Sequence, residues 1–320
     1  MSIINAWQGK RILVLGDLMV DQYLWGDSSR ISPEAPVPVV DVEKREVRPG
    51  GAANAALNVK ALGGEVILAG VIGADKQGKS LKKLMGEADF DTSCLIQSPS
   101  RQTTVKTRVM SRGQQLLRID EEDTFPLGKD EYEALEKGLT AIGNFDAMLI
   151  SDYDKGMLNG CIIRRLIRFA KEKKAHITVD PKYNNFFDYE GASLFKPNLR
   201  ELNEAYGLQL SGTQHEEIRQ AVTRLRQEMP HEQSLITLGK HGMLAIDAYG
   251  EAQHRRARLR QVVDVSGAGD TTIAVATLAL AAGSSLVEAT RLANTAAGLA
   301  CDLAGVVPVT REMLANTETL

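Results

Sequence analysis

The stretch EVILAGVIGADKQGKSLKKLMGE, residues 65–87, sets the pattern of the whole chain. An apolar run (65–72) passes through a Gly-Ala-Asp turn into a segment with helical apolar spacing near 77–88. A continuous apolar run of that length suits a strand buried on both faces, with helices packed above and below it. The same unit recurs on either side. RILVLG (11–16), DAMLIS (146–151), HITVD (176–180) and SLITL (234–238) are short, apolar and bounded by turn residues. Helical patterns lie near 52–62, 129–142, 157–174 and 213–229, and 267–303 reads as two helices broken at Gly283-Ser284. This alternation predicts an α/β fold, a mostly parallel central sheet with helices on both faces.

Two regions, about 24–47 and 92–120, break the rhythm. PVPVVDVEKREV reads as extended, and TTVKTRVM and QQLLRID alternate apolar with polar residues, as half-exposed strands do. They predict one small sheet projecting from the body, a candidate lid, within a single domain of residues 1–320.

Composition limits the partners. The 320 residues carry 38 Lys and Arg against 41 Asp and Glu, a net charge of −3, so no overall field draws the chain to nucleic acid or anionic membrane. Hydrophobic residues at 43% and charged residues at 25% exclude disorder and collagen. Cys94, Cys161 and Cys301 form no CxxC pair and the histidines no HxxxH pair, which argues against structural zinc or a disulfide framework. The longest apolar stretch, 273–282, is about half a membrane span, and the N-terminus lacks a signal-peptide core. The expected location is the cytoplasm.

The sharpest chemical signal is DVSGAGDT, 264–271, at the head of an Ala-rich helix. Two glycines in a first helical turn cost roughly 1 kcal/mol each against alanine. Close approach of an anion to the bare amides of Gly267, Ala268 and Gly269 would explain them. Asp270 beside such a cradle suits an acid that takes the proton of an attacking hydroxyl. A tight turn with Asp270 complementing the helix dipole is the bland alternative.

PGGAANAALN (49–58) places Gly50, Gly51 and Asn54 where backbone and amide could meet a polyhydroxylated ligand. A glycine turn into a tightly packed helix explains it equally well. Asp17 and Asp21 in GDLMVDQYLWG follow the first strand, at the edge where α/β sheets bind ligands. KPNLRE (196–201) reads first as a capping box, Asn198 with Glu201; a nucleotide and hydrated-magnesium role is the second reading. TLGKHG (237–242), Lys182 and Asn294 are weaker signals for a nucleotide rim. HRRARLR (254–260) reads as an exposed strand face. GADKQGKS (73–80) satisfies GxxxxGK[ST] between a strand and a helix, so spacing also permits a P-loop centred on Lys79.

The early GG with its Asn, the NxxE and the late D-x-x-GAGD-T, in that order, resemble the ribokinase-like (PfkB) carbohydrate kinases over essentially the whole chain. The resemblance implies a three-layer α/β/α sandwich with a β-sheet lid. It implies ATP and Mg²⁺ as cofactors and a homodimer formed through the lid. Asp270 would be the base and Gly267, Ala268 and Gly269 the anion hole. Asn198, Leu199, Arg200 and Glu201 would form the NxxE motif, with Glu201 holding metal through water. Thr237, Gly239, Gly242, Asn294 and Lys182 would border the nucleotide. It also demotes the P-loop match to coincidence.

SRISPEAPVPVV, RPGGAANAALN, TVKTRVMSRGQQLLRID and SDYDKG further resemble the heptose 7-phosphate kinases of that family. Val105, between Thr104 and Lys106, departs from their spacing. Such kinases often share a chain with a nucleotidyltransferase bearing HxGH, which is absent here. The chain is thus expected to be a stand-alone kinase or one half of a bifunctional protein. Asp17, Asp21, Gly50, Gly51 and Asn54 would orient the sugar. Lys106, Arg108 and Lys155 would meet its phosphate, with Arg112 and Arg118 nearby. Basic residues protecting a sheet edge are the alternative.

Overall fold

The computed structural model describes residues 3–258, 264–303 and 305–318. The strands are β1 (Arg11–Gly16), β2 (Leu18–Ile31), β3 (Pro38–Gly51), β4 (Glu65–Gly73), β5 (Leu95–Ser98), β6 (Thr104–Ser111), β7 (Gln114–Glu121), β8 (Ala147–Ser151), β9 (His176–Asp180), β10 (Leu194–Phe195), β11 (Gln233–Thr237), β12 (Met243–Ile246) and β13 (Ala252–Arg255). Among the described residues, nine form one sheet in the order β13-β12-β11-β10-β9-β8-β1-β4-β5. Its pairings are parallel from β11 to β5, and antiparallel only where β12 and β13 fold back as hairpins.

The helices are α1 (Ala52–Ala61), α2 (Lys76–Glu87), α3 (Lys129–Thr140), α4 (Gly160–Glu172), α5 (Leu199–Tyr206), α6 (His215–Glu228), α7 (Ala268–Ala281), α8 (Leu286–Cys301) and α9 (Arg311–Glu318). The pleat of β1 assigns them to layers. Ile12 and Val14 enter a core with α1, α2, α7, α8 and α9; Leu13 and Leu15 enter a second core with α3, α4, α5 and α6. Every residue of α7 from Asp270 to Ala281 is buried, because it crosses β8 and β9 with α1 and α8 beside it. That is why its sequence is apolar on all sides.

The second sheet has the order β3-β2-β6-β7. The sequence bounds for the projecting region need correction at both ends. β2 and β3 run from Leu18 to Gly51, so the small sheet starts directly after β1. Residues 95–98 do not belong to it; they pair with β4 at the edge of the large sheet. Apolar Leu95 and Ile96 are accounted for by that burial. HRRARLR is not simply a strand face either: β13 ends at Arg255, and Arg260 lies outside the described residues.

Leu278 of α7 is fully buried and lies against Gly64. Leu278→Ala is expected to lower the unfolding free energy by about 2–5 kcal/mol, read as a lower urea midpoint at unchanged slope.

Candidate active site

Asp17, Lys182, Asn198 and Glu201 lie just past the C-terminal ends of β1, β9 and β10, close to the start of α7 with Asn54 and Asp270. Gly267 is the N-cap of α7, with φ 79°, a left-handed conformation that glycine adopts without strain. A β-carbon there would stand 3.1 Å from the Asn54 amide nitrogen. The turn therefore brings α7 and α1 together without a side chain between them.

Asp270, in the first turn of α7, is 5% exposed. Asn54 Nδ2 donates to its Oδ2 at 2.6 Å, and the Tyr153 hydroxyl donates to its Oδ1 at 2.5 Å. One turn along, Asn58 Oδ1 accepts from Thr271 Oγ1 at 2.9 Å, fastening the same two helices. Burial pushes the Asp270 carboxyl up to about 6; the two donated bonds oppose this, Asp180 adds repulsion and Lys196 attraction.

Two cavities flank this carboxylate. One, about 340 Å³, is lined by Thr237, Gly239, Gly242, Asn294, Ala268 and Gly269, among others. The 3₁₀ turn Gly239–His241 lies at its rim and leads into the β11–β12 hairpin. Asn294 Nδ2 donates to the Arg256 carbonyl, which folds the chain after β13 over the opening. The other cavity is lined by Asp152, Tyr153, Asp180, Lys182, Lys196, Asn198, Glu201, Thr237 and Gly269. Lys196 is buried and its Nζ lies 2.9 Å from Asp180 Oδ1, while Lys182 pairs with Glu201 Oε1.

Several expectations are corrected by these contacts. Asn198 and Glu201 do form a capping box, with Asn198 N donating to Glu201 Oε2 and Glu201 N to Asn198 Oδ1, both at 2.8 Å. Glu201 still faces the second cavity. Leu199 and Arg200 do not; they line a separate groove with Asn203 and Glu204, and Arg200 pairs with Glu204.

Asp17 is buried and accepts from backbone amides. Its Oδ2 accepts from the amides of Tyr153 at 2.8 Å and Lys155 at 3.1 Å, and its Oδ1 from Met157 at 3.4 Å. It fixes the loop that carries Tyr153. Burial and neighbouring Asp152 raise its carboxyl to about 6 despite those donors.

Asp21 lies on β2 inside the small sheet, paired with Arg108. Gly50 packs against that carboxylate and Gly51 against the Asp17 carbonyl. Lys106 pairs with Asp120 and Glu122, and Lys155 with Glu122. Arg118 also pairs with Asp120, while Arg112 stands apart on exposed Asp27. The basic cluster therefore has carboxylate partners already.

The P-loop reading fails on geometry. Gly78 N donates to Asp75 Oδ1 at 2.7 Å, and a β-carbon at Gly78 would lie 2.1 Å from the Gly73 carbonyl oxygen. The turn is closed on itself by Asp75, which also accepts from Thr103 N at 2.7 Å, and Lys79 is exposed. No cradle of unpartnered amides remains there for a phosphate.

Sequence reasoning missed Tyr153, Asp180 and Lys196 as site residues. Asp180 is the last residue of the expected strand HITVD and Tyr153 stands two residues past DAMLIS, so position was a signal for these; Lys196 follows β10, a two-residue strand with no sequence signal of its own.

Residues 10–311 match the pfkB family carbohydrate kinase profile. The chain belongs to that family and is a carbohydrate kinase. It is 40% identical over 298 residues to the bifunctional protein HldE of Geobacter sulfurreducens, covering 93% of this chain and 60% of that protein. It is 42% identical over 308 residues to the bifunctional protein HldE of Coxiella burnetii (strain RSA 493), covering 96% and 63% respectively. The chain thus spans about three-fifths of the length of these curated relatives. Phosphofructokinase-2 from Escherichia coli, solved with fructose-6-phosphate, shares the fold with TM-score 0.79 and 21% identity over 97% of both chains. Arabidopsis thaliana ribokinase, solved with ribose and ATP, gives TM-score 0.73 and 18% identity over 98% and 99%. No helix among the described residues is long and apolar enough to cross a membrane.

The elevated Asp270 carboxyl has a consequence for stability. Folding raises its proton affinity from an ordinary 3.8 to about 6, so the native state binds more protons than the unfolded chain between those values. Stability from this group is complete below pH 4, falls as pH rises through 6, and stays lost at neutrality. Asp270→Asn is therefore expected to stabilise the fold at pH 7 by about 1–3 kcal/mol and to flatten its pH dependence between 4 and 6, measured by urea melts.

Proposed function

We propose that the chain transfers the γ-phosphoryl group of ATP to the anomeric hydroxyl of D-glycero-β-D-manno-heptose 7-phosphate, yielding heptose 1,7-bisphosphate on the route to ADP-heptose and the lipopolysaccharide inner core. The observation that carries the chemistry is the buried Asp270 carboxylate, held between two donors beside the open turn Gly267–Gly269. The sugar assignment rests on the sequence resemblance and on the basic residues of the small sheet.

The nucleotide occupies the larger cavity, along Thr237, Gly239, Gly242 and Asn294, with its phosphates toward Lys182 and the mouth of α7. The sugar lies beneath the small sheet, against Asn54, Gly50, Gly51 and Asp21. Its phosphate draws Lys106, Arg108 and Lys155 away from their carboxylates. That exchange keeps the unliganded sheet free of exposed, unbalanced charge.

In the transfer step the anomeric oxygen attacks the γ-phosphorus as the bond to the β–γ bridging oxygen breaks and ADP leaves. Asp270 accepts the hydroxyl proton. The amides of 267–269 and the positive end of α7 stabilise charge on the moving group. The small sheet acts as a lid that excludes water, which would otherwise take the phosphoryl group.

Mg²⁺ would sit here as a hydrated ion with few protein ligands. Among the described residues no group of three or more acids, histidines or cysteines could hold a metal directly. Glu201 is the carboxylate that would hold it through water, and the ion would supply charge neutralisation on the phosphates.

The outer face of the small sheet leaves Val47, Leu117 and Ile119 exposed in neighbouring rows. A second copy covering that face gives a homodimer. A nucleotidyltransferase, in the same polypeptide or separate, acts further along the same route, after hydrolysis has removed the 7-phosphate, and the reaction runs in the cytoplasm.

Phosphorus NMR of a mixture with ATP and heptose 7-phosphate tests the assignment. A new anomeric phosphate signal is expected, with kcat/KM far above that for fructose or ribose; preference for either of those sugars would replace the substrate. Asp270→Asn should lower kcat by about 10²–10⁴ with ATP affinity retained, and near-normal turnover would remove Asp270 from its role. Lys79→Ala should leave ATP affinity within about twofold, since a side chain outside the phosphate path contributes little. Leu117→Asp with Ile119→Asp should convert a dimer to a monomer in sedimentation equilibrium; a wild-type chain that is monomeric throughout would exclude the dimer.

A further inference from the structure

We infer that Tyr153 is the positioning residue of the proton-accepting carboxylate, aiming Asp270 and holding it in its ionised form through the hydroxyl bond to Oδ1. The inference rests on the proposed role of Asp270 and extends it to a residue outside the family signatures.

The geometry is specific. A carboxylate at the first turn of a helix could rotate about its terminal torsion, which is soft. Here Asn54 fixes Oδ2 at 2.6 Å and Tyr153 fixes Oδ1 at 2.5 Å, from opposite elements, α1 and the loop after β8. Each oxygen keeps a second lone pair, so the group is aimed and still able to accept a proton. The two donors differ in kind. Asn54 sits on a rigid helix and is itself tied to Asn58. Tyr153 sits on a loop that depends on Asp17, whose carboxylate accepts both the Tyr153 and Lys155 amides. Lys182 Nζ lies 5.8 Å from the centre of the Tyr153 ring, so the ring also carries a cation on its face.

The electrostatic surroundings make the hydroxyl bond necessary. Asp270 is faced by Asp180 after β9, by Lys196 after β10 and by Lys182, while Asp21 of β2 acts on Tyr153. The Lys196 ammonium is already matched by Asp180, and Lys182 by Glu201. Neutral donors are therefore the principal close support for charge on Asp270. Burial, with the Asp270 charge second, keeps the Tyr153 hydroxyl protonated well beyond its ordinary range, so it serves as a donor and not as a competing base.

The proton balance is simple. When the sugar hydroxyl gives its proton to Asp270, the Tyr153 proton stays on its oxygen. The neutral acid then holds a weaker bond to Tyr153 and returns its proton to water on opening.

The test is Tyr153→Phe, which keeps the ring and deletes the donor. Protein labelled with ¹³C at aspartate γ-carbons is titrated by NMR without substrate, the Asp270 signal being assigned from Asp270→Asn. The midpoint should rise by about one pH unit from its wild-type value, a tenfold change in proton affinity. In kinase assays the variant should lose about fivefold more of its kcat at pH 6 than at pH 8, relative to wild type with the same substrates. An unmoved midpoint, or a loss equal at both pH values, would overturn the inference. Asp270→Asn assayed in parallel separates the two ideas. If it retains turnover, the underlying role of Asp270 fails; if it is inactive while the Tyr153→Phe midpoint is unmoved, only the role of Tyr153 fails.

Discussion

A carboxylate sealed in the mouth of an otherwise apolar helix is the constraint around which the structure is arranged. Helix α7 is buried along nearly its whole length, so its first turn is where it can present polar groups to a ligand. Burial disfavours the charge on Asp270, and the fold answers with donors from two other elements. Asn54 requires α1 to cross close to α7, which the bare Gly267 permits. Tyr153 requires the loop after β8 to be pinned, which Asp17 does. A change at any of these positions reaches the same carboxylate.

The charges around the site follow a common rule: each buried or half-buried cation has an acid in place before any ligand arrives. Lys196 with Asp180, Lys182 with Glu201, Arg108 with Asp21 and Lys106 with Asp120 are all such pairs. An anionic ligand would have to displace one set of ion pairs to form another, so its net gain would be the difference between them. Neighbours of about 20% identity share the three layers, so the fold alone leaves the acceptor open.

The sheet layers and the GAGD turn were legible in the amino-acid order because they are local. Periodicity reports burial, and glycines in a first helical turn report a close approach. RILVLG and EVILAGVI became β1 and β4, and the break at Gly283-Ser284 separated α7 from α8. The P-loop spacing misled for the same reason: GxxxxGK is a local pattern, whereas its meaning depends on Asp75 and Thr103, which close the turn from within and from 28 residues away.

What required the tertiary structure was the choice of partner for each polar side chain. Sequence identified Asp17, Asp21, Asn54 and Asp270 as acids and amides near strand ends and helix starts. It could not say that Asp17 accepts from backbone amides while Asp270 accepts from the side chains of Asn54 and Tyr153. Nor could it join Tyr153 to Asp270, 117 residues apart, since hydrogen bonds depend on distances of about 3 Å that no spacing along the chain encodes. Local order determined the elements and the bare-backbone turn; packing of β8, α1 and α7 decided which carboxylate is held between two side-chain donors.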